Sequence, residues 1–142
     1  METNLIANAS IVINAPKAKV WAALTDPVQI KKYMFGTNVF TNWRKGSEIL
    51  WKGEWNGNKY EDKGIISKIE PEKLIEYSHY SPLAGKPDTP ENYHKVSIEL
   101  IEQNGNTLLK LSQDNNESEQ ERSHSESNWN MMLESIKKLL EK

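Results

Sequence analysis

The sequence predicts an α+β protein in which a curved antiparallel sheet of about six to seven strands wraps around one long C-terminal helix. Alternating apolar and polar residues indicate strands at the start of the chain and again from residue 37 to about residue 113. Two short helical segments lie between these regions, and residues 129–140 carry apolar side chains at helical spacing. A sheet with one apolar face must be covered, and only the C-terminal helix is long enough to cover it.

The first strand is predicted over residues 5–13, where apolar residues at every second position form one face. The period then changes at Pro16, and because proline is tolerated in the first turn of a helix, a short helix is expected there. Asp26 and Pro27 repeat the signal, with Asp26 as the helix cap and Pro27 at the first helical position. We expect the second helix to end at Gly36.

The central strands are predicted from the turns between them. Asn56-Gly57 and Asn104-Gly105 are strong hairpin signals, because both residue types accept positive φ. Segment 81–91 contains three prolines and is longer than an ordinary hairpin connection. Long loops in compact domains are often functional, so we expect this segment to act as a lid.

The terminal helix is predicted to begin near Ser118, because Ser118 and Glu121 have the spacing of a capping box. At roughly 24 residues it would be about 36 Å long. Its apolar residues follow the helical period only in the second half: Trp129, Met132, Leu133, Ile136, Leu139 and Leu140. A strongly curved sheet rarely fills its own interior, so we expect a cavity beside the polar first half of this helix.

Composition excludes several classes of function. The length of 142 residues suits one domain, and no linker or repeat divides residues 1–142. The absence of cysteine excludes thiol catalysis and cysteine-ligated metal sites. A net charge of −2 gives no reason to expect nucleic acid as a partner. No apolar run approaches the ~18 residues of a membrane span, so we expect a soluble, cytoplasmic protein without membrane insertion.

Three motifs resemble those of a known superfamily. Segment 13–27 reads Ile-Asn-Ala-Pro-x-x-x-Val-Trp-x-x-Leu-Thr-Asp-Pro and is similar to the opening signature of the helix-grip superfamily, also called START-like, birch-pollen-allergen-like or SRPBCC. Segments 42–49 and 129–141 resemble motifs of the branch named for the activator of the heat-shock protein 90 ATPase. The resemblance covers nearly the whole chain. It implies a single helix-grip domain with a hydrophobic cavity, but no uniform activity, because members include lipid and hormone carriers and aromatase/cyclases.

The tryptophans are the first candidate ligand-binding residues. Strand alternation places Trp51 and Trp55 on the inner face of the sheet. They either fill the core against the terminal helix or form an aromatic cavity wall that stacks on a flat or apolar ligand. Trp129 on the terminal helix is expected in the core, with the cavity wall as its alternative position.

Polar candidates flank segment 81–91. Parity places His79 and His94 on the inner face with Tyr77, so the two histidines could approach each other at a pocket mouth and contact a ligand. They could equally be ordinary, partly exposed side chains. A metal ion would need a third ligand, and no carboxylate is expected on their face, so we predict neither metal nor cofactor. No nucleophile motif or phosphate loop occurs, so no catalytic residue is assigned.

The preferred interpretation is a protein that binds a small hydrophobic or amphipathic molecule in an internal cavity. One alternative is a protein–protein module in chaperone or stress regulation, with the outer face of the sheet as the contact. A further alternative is a cyclase- or hydrolase-like enzyme, in which His79, His94 or Tyr77 acts as acid or base. An enzyme is the less favoured class because no catalytic set stands out.

Overall fold

The computed structural model describes residues 5–55 and 57–141, without the side chains of residues 55 and 84. The predicted α+β fold class is confirmed, with seven strands and three α-helices in this part of the chain. The elements follow in the order β1 (Leu5–Ile13), α1 (Lys17–Thr25), α2 (Pro27–Tyr33), β2 (Asn38–Thr41), β3 (Glu48–Trp55), β4 (Asn58–Glu70), β5 (Leu74–His79), β6 (His94–Gln103), β7 (Asn106–Asn116) and α3 (Glu119–Leu140). Two single 3₁₀ turns, Pro82–Ala84 and Pro90–Asn92, lie between β5 and β6.

All neighbouring strands pair antiparallel, in the order β1-β7-β6-β5-β4-β3-β2. The N-terminal strand therefore lies beside the last strand, and β1 and β2 form the two edges. Strand β7 continues to Asn116, beyond the predicted end of the sheet near residue 113. Asn116 pairs with Leu5, and its buried side-chain amide donates to the carbonyls of Leu5 and Gln113. These partners hold a polar segment in the sheet.

The short helices begin and end through local signals. Asp26 caps α2, and its Oδ1 accepts from the N–H of Val28 at 3.0 Å. Pro16 stands at the cap of α1, one position before the first turn. Helix α2 ends at residue 33, and Gly36, with φ of 92°, donates its N–H to the carbonyl of Lys31 at 2.8 Å. That positive φ suits glycine and turns the chain into β2.

Helix α3 begins where the sequence predicts. Ser118 Oγ accepts from the N–H of Glu121 at 3.1 Å, as expected for a helix cap. Only the second half of the helix contributes large side chains to the core: Met132, Leu133, Ile136 and Leu140. Leu133 and Ile136 are fully buried. Within residues 5–55 and 57–141, no helix is long and apolar enough to cross a membrane.

Side chains of α3 also bind the backbone of β1, an edge strand. An edge strand presents backbone groups that no neighbouring strand pairs, and burying them unpaired is costly. Two α3 side chains supply partners: Glu126 accepts from Asn8 N–H at 2.9 Å, and Lys137 donates to Val12 C=O at 2.9 Å. Glu141, the C-cap of α3, accepts from the N–H of Asn14, which follows β1, at 2.6 Å. The helix is therefore attached to the sheet by hydrogen bonds along this edge as well as by its apolar face.

Candidate functional site

A cavity of about 510 Å³ lies between the first half of α3 and the inner face of the sheet. Ser125 and Asn128 of α3 line it, which matches the place predicted for a cavity. Five aromatic side chains contribute to its wall: Phe35, Trp51, Tyr60, Tyr77 and Trp129. Asp62 and His79 add a carboxyl and an imidazole, and the described lining residues include no lysine or arginine.

Trp51 belongs both to the core and to the cavity wall. Its side chain is 5% exposed, and its ring lies 5.2 Å from the ring of Tyr77 and 5.0 Å, edge-on, from that of His79. Trp51, Tyr77 and Met132 also line a second, smaller cavity of about 40 Å³. The two interpretations of Trp51, as a core residue and as part of the cavity wall, are therefore compatible. Burial raises the pKa of the Tyr77 phenol, so this group is neutral at physiological pH.

Asp62 and His79 form a hydrogen-bonded pair in the cavity wall. His79 Nε2 lies 3.0 Å from Asp62 Oδ2, and the two side chains are 30% and 18% exposed. Asp62 stands directly opposite Trp51 in the β3–β4 register. The other carboxylate oxygen, Oδ1, is buried and has no hydrogen-bond partner among the described residues. The pair therefore combines an imidazole with an incompletely bonded carboxylate.

The expectation that no carboxylate shares the face of the histidines is wrong for His79. Asp62 lies on β4, whereas the expectation concerns only the two strands that carry the histidines. The alternation of side chains along β4 predicts the position of Asp62, because Tyr60 and Asp62 lie on the same face of the strand as the fully buried Ile66. Among the described residues, no group of three or more histidine, aspartate or glutamate side chains is placed to hold a metal ion.

The chain matches the model of a known protein family over most of its length. The family model described as "Activator of Hsp90 ATPase homolog 1-like protein" matches residues 14–141. The chain belongs to this family. Both the helix-grip superfamily and its activator-like branch are therefore confirmed, as the sequence motifs indicated. No curated protein sequence matches the chain.

Solved structures resemble this family member over most of its length. A solution structure from Cytophaga hutchinsonii is 56% identical, with a TM-score of 0.88, and the match covers 99% of this chain and 97% of that one. The Aha1 dimer from Colwellia psychrerythraea is 24% identical, with a TM-score of 0.75 and 96% of each chain covered. CalU16 from Micromonospora echinospora is 23% identical, with a TM-score of 0.69, over 94% of this chain and 82% of that one. The last two likenesses show the fold alone.

In this family member the two histidines have different partners. His79 and His94 stand opposite each other in the β5–β6 register. His94 Nδ1, however, donates to the carbonyl of Asp114 at 2.8 Å, and His94 is not among the described residues that line the cavity. Trp55 ends β3, but its side chain lies outside the described part of the chain. Ligand contact by His94 and Trp55 stays a prediction.

Trp129 lines the cavity and is linked to the sheet. Its indole Nε1–H donates to Gln113 Oε1 at 2.5 Å. One turn earlier, Ser125 Oγ donates to Asn116 Oδ1 at 3.1 Å. These bonds hold the polar half of α3 beside β7 although few apolar side chains anchor it. The four predicted residues that the structure brings together around the cavity are Trp51, Tyr77, His79 and Trp129.

Loop 81–91 forms one margin of the cavity. Leu83 lines the cavity and is 64% exposed. The far side of the loop is attached to the sheet through Asp88, which accepts from the hydroxyl of Tyr93 at 2.6 Å and forms an ion pair with Lys63. These two partners hold the pKa of Asp88 below its usual value. The loop thus has a fixed base and an exposed apolar residue at the cavity, which is compatible with the predicted lid.

Proposed function

We propose that this family member is a cytoplasmic protein that binds a small hydrophobic or amphipathic molecule in the cavity beside α3. The observation that carries the proposal is the cavity volume of about 510 Å³ together with its aromatic wall. Ligand sites typically occupy about 300–1,000 Å³ and are lined mainly by apolar and aromatic side chains with a few polar groups.

The driving force for binding would be the removal of apolar surface from water. A ligand that buries about 300 Å² gains roughly 7.5 kcal/mol at about 25 cal/mol per Å². Association costs of about 4–15 kcal/mol offset much of this gain. Apolar burial alone therefore leaves at most about 3.5 kcal/mol, which corresponds to a dissociation constant in the millimolar range, so micromolar binding also requires the aromatic and polar contacts of the cavity. We expect Leu83 on loop 81–91 to close over the bound molecule.

Two measurements test this proposal. Native mass spectrometry of freshly purified protein should detect a co-purified small molecule. Titration with the neutral fluorescent probe N-phenyl-1-naphthylamine should then show binding that Trp51→Ala weakens about tenfold, because the aromatic wall is lost. Trp21→Ala is the matched control, since Trp21 lies on α1 and is not among the described lining residues. Equal affinity of the parent and Trp51→Ala would contradict the aromatic-wall mechanism.

Family membership supports a second candidate, a protein–protein module in chaperone regulation. The outer face of the sheet would be the contact, and it carries charges of both signs, such as Lys52 and Glu61, which lie 3.8 Å apart. The test is the ATPase rate of purified heat-shock protein 90 with and without this protein. An unchanged rate would rule out direct activation.

The Asp62–His79 pair supports a third candidate, an enzyme of the cyclase or hydrolase kind. A carboxylate that holds an imidazole in one orientation is a common arrangement for a general base. If the protein is an enzyme, His79→Gln should abolish turnover of a substrate found by activity screening. Turnover that survives this substitution would remove the pair from the mechanism.

A further inference from the structure

The Asp62 carboxylate has fewer hydrogen bonds than its charge requires. An ionised carboxylate can accept about four hydrogen bonds. Here Oδ2 has one partner, His79 Nε2, and the buried Oδ1 has none in the described part of the chain. An unsatisfied charged group in a site shielded from water costs free energy that a positively charged or N–H-bearing neighbour would recover.

The carboxylate can receive such a neighbour from the cavity. Asp62 lines the cavity, and its side chain is 18% exposed although Oδ1 is buried. Oδ2 has lone pairs beyond the one that His79 uses. The terminal torsion of aspartate is also broad and roughly two-fold, so a modest rotation can exchange the two oxygens.

The charged residues around the cavity disfavour a negatively charged ligand. Among the described lining residues, Asp62 is the only carboxylate and no lysine or arginine occurs. When the Asp62 carboxylate is ionised, the pair of Asp62 and His79 has no net positive charge, whichever form the imidazole takes. The neighbouring Lys63 and Lys86 are engaged in ion pairs with acidic side chains. An anion such as a fatty-acid carboxylate would find no counter-charge in this cavity.

The aromatic wall favours a cation. The faces of tryptophan and tyrosine rings attract positive charge, most strongly when the cation is removed from water. Trp51 contacts the rings of Tyr77 and His79, and Trp129 of α3 also lines the cavity. A positive group near Asp62 would therefore meet both a carboxylate and aromatic rings.

We infer that the cavity takes an apolar amine, a molecule with a flat or aliphatic body and one cationic nitrogen whose N–H bonds to the Asp62 carboxylate. The inference rests on the proposed function, because it names the class of ligand for the same cavity. It also distinguishes this chain from a carrier of fatty acids or other lipophilic anions.

Three probes of one shape and different charge test this inference on the full chain. They are 1-naphthylmethylamine, a cation; 1-naphthalenemethanol, which is neutral; and 1-naphthoate, an anion. Isothermal titration calorimetry at neutral pH should give about tenfold tighter binding of the amine than of the alcohol, with the naphthoate weakest. Equal affinities, or tightest binding of the naphthoate, would overturn the inference and leave cavity binding intact. A failure of all three probes to bind would contradict the proposed function and this inference together.

Two variants locate the preference at Asp62. Asp62→Asn should remove the preference for the amine, so that the amine and the alcohol bind this variant with affinities within about twofold of each other. Glu61→Gln is the matched control, because Glu61 is the neighbouring residue of β4, is 57% exposed and belongs to the outer face. It changes the net charge equally and should keep the preference.

His79→Gln provides the second line of evidence. It leaves the Asp62 carboxylate in the cavity without its imidazole partner, so the preference for the amine should persist or increase. Circular dichroism and thermal unfolding establish whether each variant folds. If Asp62→Asn does not fold, the inference is decided by the order of affinities of the three probes for the parent and for His79→Gln. An amine preference that survives in folded Asp62→Asn would overturn the inference.

Discussion

Alanine in place of Gly64 should force β4 and β5 apart at the cavity. A Cβ built at Gly64 would lie 1.7 Å from the backbone oxygen of Ser78, whereas real Cβ atoms essentially never approach a neighbour closer than 3.0 Å. The two strands would therefore have to separate by at least about 1.3 Å, since the obstacle is backbone and cannot rotate away. Gly64 lies two residues after Asp62, and Ser78 immediately precedes His79, so the displacement would act on the Asp62–His79 hydrogen bond.

The expected cost is at the upper end of the range for overpacking. Such substitutions typically destabilise by about 1–3 kcal/mol, and a backbone obstacle places Gly64→Ala near 3 kcal/mol. At about 3 °C per kcal/mol for a chain of this size, the Tm should fall by roughly 9 °C. Urea denaturation followed by tryptophan fluorescence gives the free energy of unfolding, and titration with N-phenyl-1-naphthylamine reports on the cavity.

Gly53→Ala is the matched control for Gly64→Ala. A Cβ at Gly53 would lie 2.3 Å from the hydroxyl of Tyr60, which is the far end of a side chain that can move. The main loss would be the contact between the hydroxyls of Tyr60 and Thr37, which lie 2.5 Å apart, at a cost of about 1 kcal/mol. If Gly64→Ala unfolds at the same urea concentration as the parent, the close approach of β4 and β5 does not constrain the fold as argued.

Two further predictions concern the ends of α3. Ser118→Ala should lower the free energy of unfolding by about 1 kcal/mol, because the N–H of Glu121 loses its cap; an unchanged urea midpoint would contradict this. Hydrogen bonds from Lys137 and from the N–H of Asn14 hold the pKa of Glu141 below its ordinary value of 4.5. The ionised Glu141 therefore stabilises the fold fully above pH 4.5. This stabilisation is lost as the pH falls through the lowered pKa. Glu141→Gln should therefore lower the Tm at neutral pH, and the difference from the parent should disappear once the pH has fallen below the lowered pKa; a difference that persists in acid would refute the role of the charge.

Local signals in the sequence were sufficient where a structural feature depends on neighbouring residues. Ser118 and Glu121 fixed the start of α3, and Asp26 fixed the start of α2, because a cap needs only the next turn of the chain. Strand parity likewise placed Trp51 and Tyr77 on the inner face, where both line the cavity. These features need no knowledge of which strands are neighbours.

Structural features that depend on residues far apart in the sequence could not be predicted from local patterns. The segment after residue 112 is polar, and Asn116 in it finds its partner in Leu5, more than a hundred residues away in the sequence. The hydrogen bond from His94 to the carbonyl of Asp114 also depends on how β6 pairs with β7. Asp62 is an intermediate case. The alternation along β4 indicates which face of the sheet it lies on, but its partner His79 lies on another strand.

The polar first half of α3 explains why this fold contains a cavity at all. Past Trp129 the helix carries Leu133 and Ile136, which are fully buried and fill the space under the sheet. Before Trp129 the same side of the helix carries small or polar residues such as Ser125, which cannot fill that space, so a cavity is left. Hydrogen bonds to Asn116 and to the edge of β1 hold this half in place without apolar packing. The residues of α3 that stabilise the fold and those that shape the cavity therefore lie mainly in different halves of the helix, and Met132 at their boundary belongs to both groups.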